Sequence, residues 1–398
     1  MKNSKLIAMF LTFIVMIAIT PFIFGKLMNS KFDKMLDNLR KEGIVIKELK
    51  SKSTYLTTDR VFEVEIPQNV IDNKDIKVVK LKVESVFKNL PVTDVKFFGK
   101  VKEIVFNTLN DAENAEFNDA IKDKIKFLVT TPNFKVYEYK FDDTTIDFKD
   151  GSKIGYSGLK GVYQYYKTRK NSFSLEKAFF NQDGVLFQAN NVRVKYSNEP
   201  EKSESSVKFD LILKDSNKAI SIKNISTDTI STFKDKLSSI SKISIQEVNL
   251  LNKLFLKQIS LEFDVKGIDK NAYENIAKKA KPDENDLLEL VKKGFSLKAD
   301  LKISKITAQN KDYGFLNLLA KLNVKPETNI EEKIKTNNLD FVTFELDLKT
   351  TAEVSALIMN MLPQSVFLFM GAEKNNGILT LKITFKNNEV FLNGQKIK

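Results

Sequence analysis

The chain has 398 residues, 64 Lys and Arg against 51 Asp and Glu for a formal charge of +13, and no Cys, His or Trp. Without Cys it has no disulfide framework, thiolate metal site or cysteine nucleophile, and without His it lacks the commonest zinc ligand and near-neutral base. Its length suffices for one large or two medium domains.

The first feature along the chain is LIAMFLTFIVMIAITPFIF, Leu6 to Phe24, nineteen residues without a charge. As a helix it is about 28 Å long, close to one bilayer core. Lys2 and Lys5 form a short basic head, and Ala18-Ile19-Thr20 before Pro21 is a poor cleavage signal. The expectation is a transmembrane anchor or uncleaved signal over residues 1–25, with Leu6, Phe10, Phe13, Ile17, Phe22 and Phe24 as anchoring residues and the lipid bilayer as partner. Lys26, Lys31, Lys34, Arg40 and Lys41 follow the stretch, so counted basic residues do not themselves place the N-terminus inside. The signal-like layout places the body outside the cytoplasmic membrane.

Residues 26–43 form a helical stalk or first packed helix, from the spacing of Leu27, Phe32, Leu36 and Leu39 and a stop at Gly43. Strands are predicted in GIVIKELKSKSTYLTTDRVFEVEIP, where Phe62, Val64 and Ile66 share a face, and in KDIKVVKLKVESVF and KFFGKVKEIVF. Ala112 to Val129 reads as a helix, FKVYEYKFD and SVKFDLILK as strands, and Ser231 to Leu256 as a long helix. After the strand QISLEFDVKG, a helical block over Asn271 to Lys293 is interrupted near Lys281-Pro282 and capped by Gly294. Strands follow in FSLKADLKISKITA, FLNLLAKLNV and DFVTFELDLKT. TAEVSALIMNMLPQSVFLFMG is a helix that fills the dry side of a sheet, since Glu353 and Pro363 argue against a second span. The chain closes on NNGILTLKITFKNNEVFLNGQKIK, where Leu379, Leu381, Ile383 and Phe385 alternate with Thr and Lys and Asn387-Asn388 and Asn393-Gly394 mark turns.

Motifs with chemical content are weak. GYSGLKG, Gly155 to Gly161, lacks the spacing and terminal Lys-Ser/Thr of a phosphate loop and reads as a turn or bulge. Asp142, Asp143, Asp147 and Asp150 lack the ligand alternation and closing Glu of a calcium loop and read as a polar hairpin. Tyr163, Tyr165 and Tyr166 beside Lys167, Arg169 and Lys170 are a stacking site or an ordinary sheet surface. Most lysines alternate with hydrophobic residues, and no dense basic tract stands out, so no nucleic-acid partner is expected. No catalytic set, metal site or cofactor is assigned.

The chain resembles the YdgA-like bacterial envelope proteins, a family of unknown function (DUF945). The likeness is carried by Gly377-Ile378-Leu379 and Leu392-Asn393-Gly394-Gln395, by the helix ending at Gly294 with its strand from Ser296 and turn near Gly314, and by the opening after the anchor. The resemblance implies a single-pass protein of the bacterial cytoplasmic membrane with its body in the periplasm, and it supplies no catalytic residues. The expected fold class is α+β: an N-terminal transmembrane helix, then a large, mainly antiparallel sheet body over 44–398 with covering helices. That body is one extended domain or two halves joined near 200. The expected role is that of a membrane-anchored, non-catalytic binding or structural protein. The alternatives are a carrier of lipid or another hydrophobic ligand in a curved groove bordered by Leu379, Leu381, Ile383 and Phe385, and a carboxylate-dependent envelope enzyme. Lipid or an envelope protein would be the further partner.

Overall fold

The structure, a computed structural model, describes residues 23–71, 73–90, 94–132, 134–164, 169–215, 218–277 and 283–397. It divides into two compact units, one formed mainly from the chain up to Asp183 and the other from Gly184 onward.

The first unit opens with α1 (23–41), followed by β1 (Val45–Ser53), β2 (Thr57–Pro67), α2 (Gln68–Ile71), β3 (Ile76–Lys88) and β4 (Val95–Phe106). Next come α3 (Asp111–Ile121), β5 (Lys126–Thr131), β6 (Val136–Phe141), β7 (Thr144–Asp147), β8 (Lys153–Ser157), β9 (Lys160–Gln164) and β10 (Arg169–Gln182). The antiparallel order is β1-β2-β3-β4-β5-β6-β9-β10-β8-β7, so sequence neighbours are not always sheet neighbours. The core centres on Phe32 of α1, whose ring lies 5.7 Å from Phe62, 6.0 Å from Phe87 and 5.7 Å from Phe97. Arg60 seals this cluster. Its guanidinium lies 4.9 Å from the Phe32 ring centroid and bridges Asp33 of α1 at 2.6 Å and Glu48 of β1 at 2.8 Å. The bond from Arg60 holds the Glu48 carboxyl below its ordinary pKa, and Glu48 in turn raises that of the guanidinium.

The second unit is a meander. Its strands β11 (Val185–Glu199), β12 (Lys202–Asp215), β13 (Lys218–Phe233), β14 (Lys236–Leu250) and β15 (Leu254–Asp269) pair in chain order. After α4 (Lys270–Ala277) and α5 (Glu284–Lys293), β16 (Phe295–Ala308) and β17 (Lys311–Val324) continue the ladder. Beyond α6 (Ile330–Lys335), β18 (Val342–Thr351) pairs with β17. After α7 (Ala352–Met361) and α8 (Val366–Met370) come β19 (Glu373–Asn375), β20 (Ile378–Lys386), β21 (Glu389–Leu392) and β22 (Gln395–Lys396). β20 pairs with β18, β19 and β21.

One face of this ladder changes chemistry along a single row. Ser205, Thr229 and Ser241 oppose one another on β12–β14, and the row continues as Phe263, Ala299, Ala320, Leu346 and Ile383. Thr229 and Ser241 bond each other at 3.0 Å, and Ser231 and Ser239 at 2.8 Å. At the aliphatic end α7 contacts β17, β18 and β20, and α5 and α6 close a second cluster around Val324, Ile330 and Phe341. The face is aliphatic where helices cover it, as burial without water requires.

The expected anchor is corrected. Among the described residues no helix is long and apolar enough to cross a membrane. Leu6, Phe10, Phe13, Ile17 and Phe22 lie outside the described residues. Phe24, within α1, is half-buried. The helix it opens is amphipathic, burying Phe32 and Leu36 against the sheet while its other positions carry seven charges between Lys26 and Lys41. A single-pass membrane topology with a periplasmic body, and the bilayer as partner, therefore have no support among the described residues. What stands of the fold class is a mainly antiparallel β body with flanking helices.

Two helix expectations also change. Ser231 to Leu256 is the end of β13, all of β14 and the start of β15. Its apolar spacing, Ile243, Ile245, Val248 and Leu250, departs from strict alternation at Gln246, where the left-handed residues Asn224 and Gln258 interrupt the pairing on the neighbouring strands. The helix predicted over Ala112 to Val129 stops at Ile121, and Asp123 turns the chain with φ 55° into β5. The closing hairpin forms as read: Asn387 and Asn388 have φ of 53° and 62°, and Asn393-Gly394 makes the second turn. That last turn is also a clasp, since Asn393 Nδ2 donates to the Gly371 carbonyl at 2.9 Å and its Oδ1 accepts from the Lys382 amide at 2.8 Å.

Candidate anion-binding cleft

Helix α1 presents two stripes. Phe32 and Leu36 point into the core, while Lys31, Lys34, Asn38 and Lys41, spaced three or four apart, run along the flank. That flank borders a cleft of about 880 Å³ in the first unit. Lys135, Tyr137 and Tyr163 line the opposite side, over an apolar floor of Met35, Leu39 and Phe134. Tyr137 of β6 and Tyr163 of β9 are direct cross-strand partners. Their ring centroids are 6.4 Å apart with the planes tilted by 44°.

The charge of the cleft follows from where the acids of α1 are spent. Asp33 is held by Arg60 at 2.6 Å and Asp37 by Arg40 at 2.9 Å. Glu42 is the one carboxylate among the lining residues, against four lysines. Among the described residues no carboxylate lies within ion-pair distance of Lys31, Lys34 or Lys41. A concave site with several ammonium groups and few acids concentrates anions. Tyr137 Oη donates to the Phe134 carbonyl at 3.0 Å, and burial, then the neighbouring Tyr163, pushes its phenol above the usual range. The tyrosine thus stays a neutral, fixed wall.

Of the tyrosine and basic group singled out in the sequence, Tyr163 alone is placed in the cleft. Arg169 and Lys170 lie on β10 and are not among the lining residues, and Tyr165, Tyr166 and Lys167 lie outside the described residues. GYSGLKG is β8, a turn with Gly158 at φ 66°, and β9. Its glycines make room for rings. A Cβ on Gly155 would come within 2.6 Å of the Phe179 ring, and one on Gly161 within 2.4 Å of Tyr139 Oη. Asp143 accepts from the Gly158 amide at 2.8 Å, Asp147 pairs with Lys153 at 2.9 Å and Asp150 caps Ser152. These acids are structural.

The groove expected around the last long strand is corrected. Leu381 is 1 % exposed, and Leu379 and Ile383 pack with it against Phe369, Ile358 and Met359 of α7 and α8. Phe385 is half-buried opposite Phe344 of β18. The row is core filled by protein, so the lipid-carrier reading loses its site. For the carboxylate enzyme, among the described residues every carboxylate with a displaced pKa is displaced downward, by a lysine, an arginine or a hydroxyl donor. A general acid needs the opposite shift. Among the described residues no cluster of three or more acids could hold a metal ion.

Compared with known proteins, the chain matches no family model, no curated protein and no solved structure.

Proposed function

We propose that the first unit is a binding module for a small anionic ligand, taken up in the cleft between α1 and the β6–β9 pair. The observation that carries this reading is the convergence of Lys31, Lys34 and Lys41 on one concavity whose lining, among the described residues, holds Glu42 as its one acid. The size of the cleft supports a small ligand, since pockets for such molecules run from about 300 to 1,000 Å³. Of the elements behind the YdgA-like resemblance, the helix before Gly294 and the closing hairpin belong to the second unit, and the opening after the expected anchor forms β1 and β2, which do not line this cleft.

Calorimetric titration with pyrophosphate as probe tests the reading. Binding is expected to weaken at least about tenfold in a Lys31→Gln/Lys34→Gln double variant, and to fall as salt is raised from about 50 to about 300 mM. A charge-matched Lys302→Gln/Lys321→Gln variant, altered on the second unit, is expected to bind as the unmodified protein does. Equal loss in both variants, or no binding at low salt, overturns the proposal.

A further inference from the structure

Resting on the anion-binding reading above, we infer that the ligand carries a planar ring next to its anionic group, as a nucleoside monophosphate does, and that Tyr163 is the platform for that ring. Four observations bear on this. Tyr163 is 36 % exposed although it sits in a paired strand, so part of its ring is left uncovered along the cleft. Its neighbour Tyr137 donates its hydroxyl to the Phe134 carbonyl at 3.0 Å, a bond that favours its present position beside Tyr163 over one across it. The 44° tilt between the two rings leaves them unstacked on each other. Lys31, Lys34 and Lys41 stand on α1, across the cleft from the ring, so charge and ring would be read by separate parts of one site. An aromatic face with ammonium groups beside it is the pair of contacts that a ring-bearing phosphate satisfies together.

A single-stranded nucleic acid offers the same chemistry repeated along a chain. The cleft favours the single unit: its volume of about 880 Å³ accommodates one nucleotide, and among the described residues its tyrosine wall is one cross-strand pair.

Adenosine 5′-monophosphate and ribose 5-phosphate separate the ring from the anion, because they share a phosphate and a sugar. The monophosphate is expected to bind the full-length protein about tenfold or more tightly than the sugar phosphate. Tyr163→Ala is expected to bring it to the level of the sugar phosphate, Tyr163→Phe to leave it unchanged, and neither to affect binding of ribose 5-phosphate. If both probes bind alike, the ring inference fails while the anion reading stands. If neither binds and pyrophosphate does not, the anion reading is the one that fails. Affinity for a thymidine oligonucleotide that grows with its length overturns the small-ligand assignment in favour of nucleic acid.

Discussion

The two units solve the same problem, burying one side of an antiparallel sheet, by opposite means. The first uses strands of 4 to 14 residues, out-of-order pairing and rings packed over glycines. The second runs long strands in chain order and lets helices cover whichever part of the face is aliphatic. The consequence is a cleft. Out-of-order pairing brings Tyr137 beside Tyr163 and sets both opposite the lysines of α1, so concavity arises where the connectivity is irregular. An in-order meander produces broad, regular faces instead.

The largest effect that would test the independence of the two cores is Phe32→Ala. Phe32 is fully buried at the centre of four other phenylalanine rings. Its truncation is expected to cost about 3–5 kcal/mol. Hydrogen exchange followed by mass spectrometry should show protection lost over β2 to β4 and kept over β14 to β17. Equal loss in both units would mean that they share one cooperative core.

How much of this was legible beforehand differs between the units for the same reason. In the second, alternation alone located β12, β15 to β18 and the closing hairpin, because from β11 to β18 each strand pairs with the next in sequence and the periodic signal is the fold. The failure there, a helix read over Ser231 to Leu256, sits on the kink that breaks the alternation. In the first unit the strands β1 to β4 and β6 were legible, but the site was not. Tyr163 was visible as one of a tyrosine group, while Tyr137, 26 residues earlier, is joined to it only by the β6–β9 register. The lysine stripe was hidden differently. Its spacing on α1 was readable, yet nothing local says that Asp33 and Asp37 are taken up by arginines and that Glu42 alone is left among the cleft's acids.

A smaller effect sharpens the account of the meander. Asn191, Asn224 and Gln258 have φ of 55°, 50° and 51° in the middle of β11, β13 and β15. By register they fall on one line across the sheet with Asp210, Gln246 and Ser304. At that line the apolar positions change parity, from Ile220 and Ile222 to Ile225 on β13, and from Leu254 and Leu256 to Ile259 and Leu261 on β15. Each left-handed residue inserts the offset that such a change of parity demands. Asp210 ties two of them, accepting from the Asn224 amide at 2.7 Å and from Asn191 Nδ2 at 2.8 Å. A branched side chain resists this backbone, so Asn224→Val should lower stability by about 1–2 kcal/mol. Asn224→Gly, free to adopt positive φ, should stay close to the unmodified protein. Urea denaturation reads both, and equal midpoints for Val and Gly would mean that the kink is not held in solution.

The smallest effect concerns a turn of the first unit and is best read by titration. Asp123, at φ 55° between α3 and β5, accepts from Lys100 at 2.8 Å and Lys102 at 3.1 Å, both on β4. These two ammonium groups hold its carboxyl at about 2, against an ordinary 3.8. A lowered carboxylate pKa means that the folded state favours the ionised form. The contribution is therefore in place above the ordinary value and is lost as pH falls from 3.8 towards about 2. Because the group is exposed, salt screens it and the global stability barely registers it. Carboxyl carbon resonances followed against pH should place the Asp123 midpoint near 2, and Lys100→Gln with Lys102→Gln should return it towards 3.8. The same arrangement recurs in the meander, where Lys242 and Lys298 lower Glu262, but there all three groups stand on paired strands. Asp123 stands in a connection, so its midpoint reports whether the α3–β5 turn stays docked on β4. An ordinary midpoint for Asp123 beside a lowered one for Glu262 would mean that the irregular unit is held together by its aromatic core, without help from its surface charges.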